Sequence, residues 1–512
     1  QDSLKYRNSN TVIIFWELVN ITNDLYKEID FYSKEKFNQL IEKTKLELDL
    51  VFKNLKQTQL VLFNKFSTSH FSFYNLNKSL LDELNIILNQ YLIENIPDNF
   101  KLVEIEKTFL KTGIKNSIEI RNFYLTKALY SVDFYKSYSI QVRPYILSLI
   151  GKSKKVLIFD CDNTLWGGIL GEDGFENIEM SSNSIKGKIF NEVQKIALNL
   201  NKKGVILGLC SKNNMEDVDE VINSHPDMII KNQNLSIKKI NWNNKASNLK
   251  EIADKLNVGL DSIVFVDDSL FEINLIRSSL PEVTTIKVPE AIHDYPNMLR
   301  ENIDLFYNLY NTKEDLEKTK MYNQENERRK IKNRFKNIED YISSLELKIT
   351  ITENDDLNTS RLSQLTQKTN QFNLTTKRYS VADFDTFLND PQKVIYSVSV
   401  VDKYGSYGIT GLVILVLKNN KAIIDTFLMS CRILGRNIEF VMMNFIISKL
   451  KTKNITTINA EYIKNKKNHH VEPFYKNCSF EIQNRSENII NHNLSVINYK
   501  KSKINYIQIE EY

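Results

Sequence analysis

Short apolar runs alternate with amphipathic stretches along most of the chain. Between Val12 and Ile150, TVIIFW and QLVLF have the length of strands. Between them, SKEKFNQLIEKTKLELDLVFKNL repeats its apolar residues at helical spacing behind Ser33, a plausible N-cap. LLDELNIILNQYL is a further amphipathic helix. Strands alternating with helices predict an α/β domain with a parallel sheet.

The pattern sharpens from Lys155 to Asn311. KVLIFD, VILGLCS, DMIIK, SIVFVDD and TTIKV read as strands, KGKIFNEVQKIALNLNKK and KASNLKEIADKL as helices. Strands this apolar need cover on both faces, as in a doubly wound sheet. NTKEDLEKTKMYNQENERRKIKNRF, capped at Asn311 or Thr312, is a charged connecting helix. Its basic end, Arg328 to Arg334, is either a solvated face or a dock for an acidic partner. Beyond Leu345 the strands come in succession (VIYSVSVVD, YGITGLVILVL, AIIDTFLMS), followed by the helix IEFVMMNFIISKL and the strand ITTINAEY. That order predicts an α+β domain. The expected division is 1–152, 153–311, a connector at 312–344, and 345–512. The chain starts without Met and runs almost at once into a strand, which reads as a fragment lacking an earlier strand–helix unit.

Composition narrows the functional classes. With 512 residues, 42% of them hydrophobic, the chain can bury several cores. A net charge of +5 without a long single-sign run does not suggest a nucleic-acid binder. The longest apolar stretch stops at Lys418, well short of a membrane span, and the polar start has no signal-peptide core. Four cysteines without C-x-x-C spacing suggest neither a disulfide framework nor a zinc site, and fit a reducing, cytoplasmic compartment.

The chemistry concentrates where strands end. VLIFDCDNTLWGGILGEDG, Val156 to Gly174, finishes a buried run in Asp160 and Asp162; SIVFVDDS finishes in Asp267 and Asp268. Carboxylates at the carboxyl ends of parallel strands sit where open α/β sheets place their sites. A hard dication such as Mg²⁺ would remove their repulsion. Ser211 ends VILGLCS and Lys245 opens a helix, so a phosphate would meet a hydroxyl, an ammonium and a metal.

This ordered set resembles the haloacid dehalogenase superfamily of Mg²⁺ phosphohydrolases and phosphotransferases. The resemblance implies that Asp160 is the nucleophile and Asp162 the general acid/base, its backbone carbonyl also reaching the metal. It implies that Thr164 supports the motif and that Ser211 and Lys245 hold the phosphoryl oxygens. Asp267 would be a metal ligand, with Asp268 a ligand directly or through water. DNTLWGGILGEDG and CSKNN look like the FkbH-like branch, and put Trp166, Lys212 and Asn213 among the substrate-binding candidates. Trp166 either lines the pocket or pins a Gly-rich flap. Such domains load a glyceryl unit from 1,3-bisphosphoglycerate onto the phosphopantetheine arm of an acyl carrier protein in polyketide-type biosynthesis, holding it on an enzyme cysteine. RLSQLTQKTNQFNLTTKRYS, DTFLMSCRILGR and PFYKNCSF also look like that family's C-terminal part. The N-terminal part is similar to the SGNH-hydrolase-like domain that precedes the phosphatase in these proteins, without an obvious Ser/Asp/His set. Ser67, Ser69 and His70 there read as a turn.

Arg432-x-x-Gly435-Arg436 resembles the loop with which GNAT acetyltransferases grip the pyrophosphate of coenzyme A, with Asn437 replacing the final small residue. Of the cysteines, Cys161 should point into the core by strand alternation, and Cys478 reads as filler. Cys210, near Lys212, and Cys431, beside Arg432, are the candidates to carry the acyl group. The amide-rich run around Gln367, Asn370, Gln371 and Asn373, with Lys368 and Arg378, is a candidate ligand contact. His469 and His470 read as a surface loop. The rival reading is a phosphatase of a small phosphorylated metabolite joined to a separate coenzyme A-dependent acyltransferase.

Overall fold

The computed structural model describes residues 10–309 except 23, 69–70 and 72–75, residues 335–511 except 336 and 466, and, between them, 321, 324, 328 and 331. The expected connecting helix therefore lies largely outside the described residues, as do Ser69 and His70. Among the described residues no helix is long and apolar enough to cross a membrane.

Two compact units emerge. The first joins residues 1–149 with 379–386; the second joins 150–378 with 387–512. In the first, β1 (Thr11–Ile14), β2 (Leu60–Asn64) and β3 (Phe100–Val103) pair in parallel in that order. The helix Lys34–Leu55 starts on Ser33, whose hydroxyl accepts the Lys36 N–H, and Leu80–Asn95 starts on a Ser79–Asp82 capping box.

The second unit holds a five-stranded sheet, β4 (Val156–Phe159), β5 (Ile206–Ser211), β6 (Leu235–Ile240), β7 (Ile263–Asp267) and β8 (Thr284–Lys287), all parallel, in the order β6-β5-β4-β7-β8. Strand alternation divides its side chains between two cores. Leu157, Phe159 and Cys161 pack on one face; Val156, Ile158 and Cys210 pack on the other, against the helix Lys245–Leu256. One expected strand is wrong: DMIIK is a loop, and the edge strand is β6, further on. The Gln194 side chain accepts the backbone N–H groups of Ile229 and Ile230, at 2.9 and 3.2 Å. With its donors taken by an amide, that segment has no ladder to join, although Met228 and Ile230 are buried.

A nine-stranded sheet completes this unit: β9 (Lys348–Glu353), β10 (Phe372–Asn373), β11 (Lys393–Asp402), β12 (Gly405–Lys418), β13 (Lys421–Met429), β14 (Thr457–Ile463), β15 (Glu481–Arg485), β16 (Ile489–Ser495) and β17 (Gln508–Glu511). Its central strands β9, β11, β12 and β13 are antiparallel, while β13 pairs β14 in parallel. The helix Ile438–Thr452 buries Ile438, Val441, Met442 and Ile446 in the same core. The fold is multidomain α/β with parallel sheets and an α+β C-terminal part.

Candidate phosphoryl site and acyl loop

β4 and β7 are neighbours, so their carboxyl ends bring Asp160, Asp267 and Asp268 together: an oxygen of each lies within 4.8 Å of the others. Asn244 caps the helix Lys245–Leu256 through the Ala246 N–H, and Lys245 on its first turn reaches into the group. Its Nζ stands 2.9 Å from Asp160 Oδ1 and 2.7 Å from Asp267 Oδ2. Asp160 Oδ1 is buried and, despite that ion-pair distance, accepts no well-aligned hydrogen bond. Burial first, and then Asp160, push the Asp267 carboxyl up to about 6; burial and Asp160 also raise Asp268. Burial opposes the Lys245 charge, but Asp160 and Asp267 together outweigh it and hold the ammonium protonated. Three carboxylates, two of them buried and Asp268 partly so, against one ammonium leave excess negative charge, and the all-oxygen donor set suits a hard dication.

Asp162 plays a different part. Its Oδ1 accepts from Trp166 Nε1 and from the Leu170 N–H, each at 3.0 Å; its Oδ2 accepts from Asn213 Nδ2 at 3.0 Å. Burial, its largest influence, raises its pKa against these donors. The side chain is thus held by three donors and stands outside the three-carboxylate cluster. The flap that supplies two of those donors turns at Asn163 (φ +50°), whose Oδ1 accepts the Gly168 N–H at 3.0 Å, and at Gly168 (φ +100°), where a side chain would be strained. Trp166 and Asn213, expected among the substrate contacts, both face Asp162. Trp166 is fully buried and pins the flap to Asp162, and Asn213 is buried against the same carboxylate. Thr164 is buried, and its carbonyl accepts the Tyr295 hydroxyl at 3.0 Å. Tyr295 escaped sequence reading because it lies 131 residues away in a helix with no motif of its own. Ser211 is buried at the end of β5, next to the Cys161 thiol. Lys212 pairs with Glu272 at 2.7 Å.

Six exposed apolar side chains in this part, Ile169, Ile185, Met215, Trp242, Leu270 and Phe271, all stand in loops or first helical turns beyond the strands' carboxyl ends. By the topology they lie at the end of the sheet that carries the carboxylates.

The cysteines separate clearly. Cys210 corrects expectation: its side chain packs in the core behind β5, its thiol reaches only the Lys245 carbonyl at 3.9 Å, and burial pushes it up to about 12. Lys212, expected to favour its thiolate, is occupied by Glu272. Cys161 and Cys478 are buried core residues. Cys431 alone is partly exposed. Burial raises its thiol, while Arg432 and Lys155 act in the opposite direction. Lys155 precedes β4, at the opposite end of that strand from Asp160. None of the site's carboxylates is among the charges that act on Cys431.

The loop after β13 turns through a short 3₁₀ segment, Cys431–Ile433, then Gly435 (φ +75°) and Asn437 (φ +62°), before the helix Ile438–Thr452. Arg436 is buried, stacks on Tyr407 at 4.8 Å and donates to the Arg432 carbonyl, so its side chain shapes the loop from inside. Arg378 ties the amide-rich run to itself through the Thr366 and Gln367 carbonyls and Asn370. Asn373 is buried. His469 and His470 are exposed in a short 3₁₀ turn.

The family model for the acetyltransferase (GNAT) domain matches residues 349–498. The N-terminal part of the Bacteroides fragilis protein BF1531, described as containing a phosphatase domain complexed with Mg, is 29% identical. That match covers 60% of this chain and 82% of that one, with a TM-score of 0.50. The Escherichia coli ribosomal-protein-S18-alanine N-acetyltransferase is 10% identical over 29% of this chain and 94% of its own, with a TM-score of 0.24. No curated protein matches the chain significantly. A phosphatase-type part and a GNAT part make the chain an enzyme of the hydrolase/transferase kind.

Proposed function

We propose that the chain is a Mg²⁺-dependent glyceryl transferase/phosphatase of FkbH-like type. It would take 1,3-bisphosphoglycerate, remove its phosphates, hold the glyceryl unit as a cysteine thioester and pass it to the phosphopantetheine thiol of an acyl carrier protein. The observation that carries this reading is the convergence of Asp160, Asp267, Asp268 and Lys245 at the carboxyl end of a parallel sheet, in a chain that also contains a GNAT domain. The functional division follows 1–152, 153–311, 312–344 and 345–512, the first part being SGNH-like. Four free thiols fit a cytoplasmic setting.

Asp160, Asp267 and Asp268, with the Asp162 carbonyl, would hold the cofactor Mg²⁺. Bound there, the ion neutralises the carboxylates and polarises the phosphoryl oxygens. Lys245 and Ser211 grip the phosphoryl group. Asp160 attacks phosphorus and the bond to the glyceryl oxygen breaks. Asp162, held by Trp166, Leu170 and Asn213, gives that oxygen its proton, then takes one from the water that cleaves the aspartyl phosphate. The Cys431 thiolate attacks the acyl carbon of the other phosphate, inorganic phosphate leaves and a thioester forms. Arg432 favours the thiolate. The exposed apolar side chains at that end of the sheet support delivery by a macromolecular carrier.

A specific observation favours the second reading, a metabolite phosphatase with an independent coenzyme A-dependent acyltransferase: the charges that act on the Cys431 thiol are those of Arg432 and Lys155, not those of the Asp160 cluster. Phosphate counting separates the two. With Mg²⁺, 1,3-bisphosphoglycerate and a holo carrier protein, the wild type should release both phosphates, Asp160→Asn only the acyl one, and Cys431→Ser should form no glyceryl carrier. Carrier-independent turnover unaffected by Cys431→Ser would favour the second reading. Full phosphate release by Asp160→Asn would remove both.

A further inference from the structure

We infer that Arg328, on the connector between the phosphatase and GNAT parts, is a positioning residue that sets the conformation of the Arg432–Asn437 loop through Asp402, Tyr407 and Arg436. The inference rests on reading that loop as the site for the phosphopantetheine-bearing acyl partner.

Met321, Gln324 and Arg328 are spaced as one face of a helix, and all three touch the GNAT part. Arg328 is buried. Its Nε and Nη2 each donate to an oxygen of Asp402, both at 2.7 Å, a bidentate fork. Asp402, at the end of β11, also accepts the Tyr407 hydroxyl at 2.8 Å and the backbone N–H groups of Tyr404 and Gly405, at 2.9 and 3.1 Å. Five donors thus hold one carboxylate, which fixes the β11–β12 turn around the connector. The turn comes so close that a side-chain carbon at Gly405 would stand 2.3 Å from Gln324, in a backbone conformation (φ +147°) that itself favours glycine.

From Asp402 the contacts lead to the loop. The Tyr407 ring carries the Arg328 guanidinium at 4.2 Å and that of Arg436 at 4.8 Å. Arg436 donates to the Arg432 carbonyl, which sets the left-handed turn at Gly435. A second contact is independent of this path: Arg432 Nη1 donates to the Met321 sulfur. The connector therefore touches the loop directly at Arg432 and reaches it a second time through Tyr407. The phosphate-binding capacity left in the loop lies in its backbone N–H groups and Arg432, because the Arg436 side chain is spent on the interior. A change in the connector would move those N–H groups, coupling the phosphatase part's attachment to capture of the acyl partner.

The test uses the full chain with coenzyme A, which carries the same phosphopantetheine arm, as the calorimetric probe. Phosphate release from p-nitrophenyl phosphate with Mg²⁺ reports an intact phosphatase part. Arg328→Gln should weaken coenzyme A binding roughly tenfold, with phosphate release unchanged, and Arg328→Lys should restore part of it. In acyl transfer the loss should fall on KM for the pantetheine partner and leave kcat near wild type, a split that general destabilisation would not give. Should Arg328→Gln not fold, Tyr407 decides: Tyr407→Leu removes the ring between the guanidiniums and should match the loss, whereas Tyr407→Phe keeps it and should bind within about twofold of wild type. Wild-type binding with equal affinity in Arg328→Gln, or in both Tyr407 variants, overturns the relay and leaves the loop reading standing. A wild type that binds neither coenzyme A nor the holo carrier overturns the loop reading, and the relay with it.

Discussion

The five-stranded and nine-stranded sheets of the second unit use charge in opposite ways. In the parallel sheet, strand direction alone brings carboxylates from β4 and β7 to one end, where Lys245 leaves their negative charge in excess. In the mixed sheet the buried Arg328 meets Asp402 in a bidentate ion pair, and the buried Arg436 is turned onto a ring and a carbonyl. Unmatched buried charge is costly unless a ligand supplies the counter-charge, so the first cluster reads as a site and the second as a scaffold.

The largest test of that contrast is Asp160→Asn. Phosphate release should fall on the order of 10³-fold or more, as for loss of a nucleophile, while coenzyme A binding by the same protein stays unchanged; a phosphate-release assay beside calorimetry reads both. Next comes the counter-charge. At a hundredfold excess over its Kd, Mg²⁺ should stabilise the phosphatase part by about 3 kcal/mol, read as a raised Tm that chelation reverses and that Asp268→Asn lacks. An unaltered Tm would mean that Lys245 balances the cluster by itself.

The two candidate cysteines sharpen the comparison at lower energy. Cys210→Ser puts a hydroxyl into the core behind β5 and should cost about 1–3 kcal/mol in chemical denaturation, with phosphate release retained. Cys431→Ser, partly exposed, should cost little stability and abolish the acyl adduct. The smallest effect extends the contrast to the N-terminal unit, where burial raises the Glu17 carboxyl from its usual 4.5 to about 7. The fold favours the protonated form. That contribution is complete below about pH 4.5 and is lost as pH rises through 7. Glu17→Gln should therefore stabilise this unit at pH 8 by about 1 kcal/mol, after discounting for a half-buried group, and by much less at pH 5. Equal gains at both pH values would assign the effect to something other than ionisation.

The phosphoryl site was legible because its parts are local: an apolar run ending in acids marks a strand tip, and Lys245 stands at the start of an amphipathic stretch. What was not legible depended on distant partners. DMIIK has strand composition, but Gln194, 35 residues earlier, takes its N–H groups. Trp166 and Asn213 belong to the motif stretches, yet only the fold turns them onto Asp162 rather than outward, Trp166 from the flap and Asn213 from beyond the end of β5. Cys210 looked available beside Lys212, until Glu272, 60 residues on, claimed the lysine and strand alternation carried the thiol into the core. Arg436 sits in a phosphate-loop pattern, and Tyr407, from another strand, turned it inward.

The central claim is that the unmatched site processes the phosphates while Cys431 carries the acyl group. Intact-protein mass spectrometry after incubation with Mg²⁺ and freshly generated 1,3-bisphosphoglycerate, with peptide mapping, tests it most directly. The account predicts a glyceryl adduct on Cys431 that disappears when a holo carrier protein is added. Phosphate release dependent on Asp160 with no adduct on Cys431 would contradict it and leave a phosphatase joined to a separate acyltransferase.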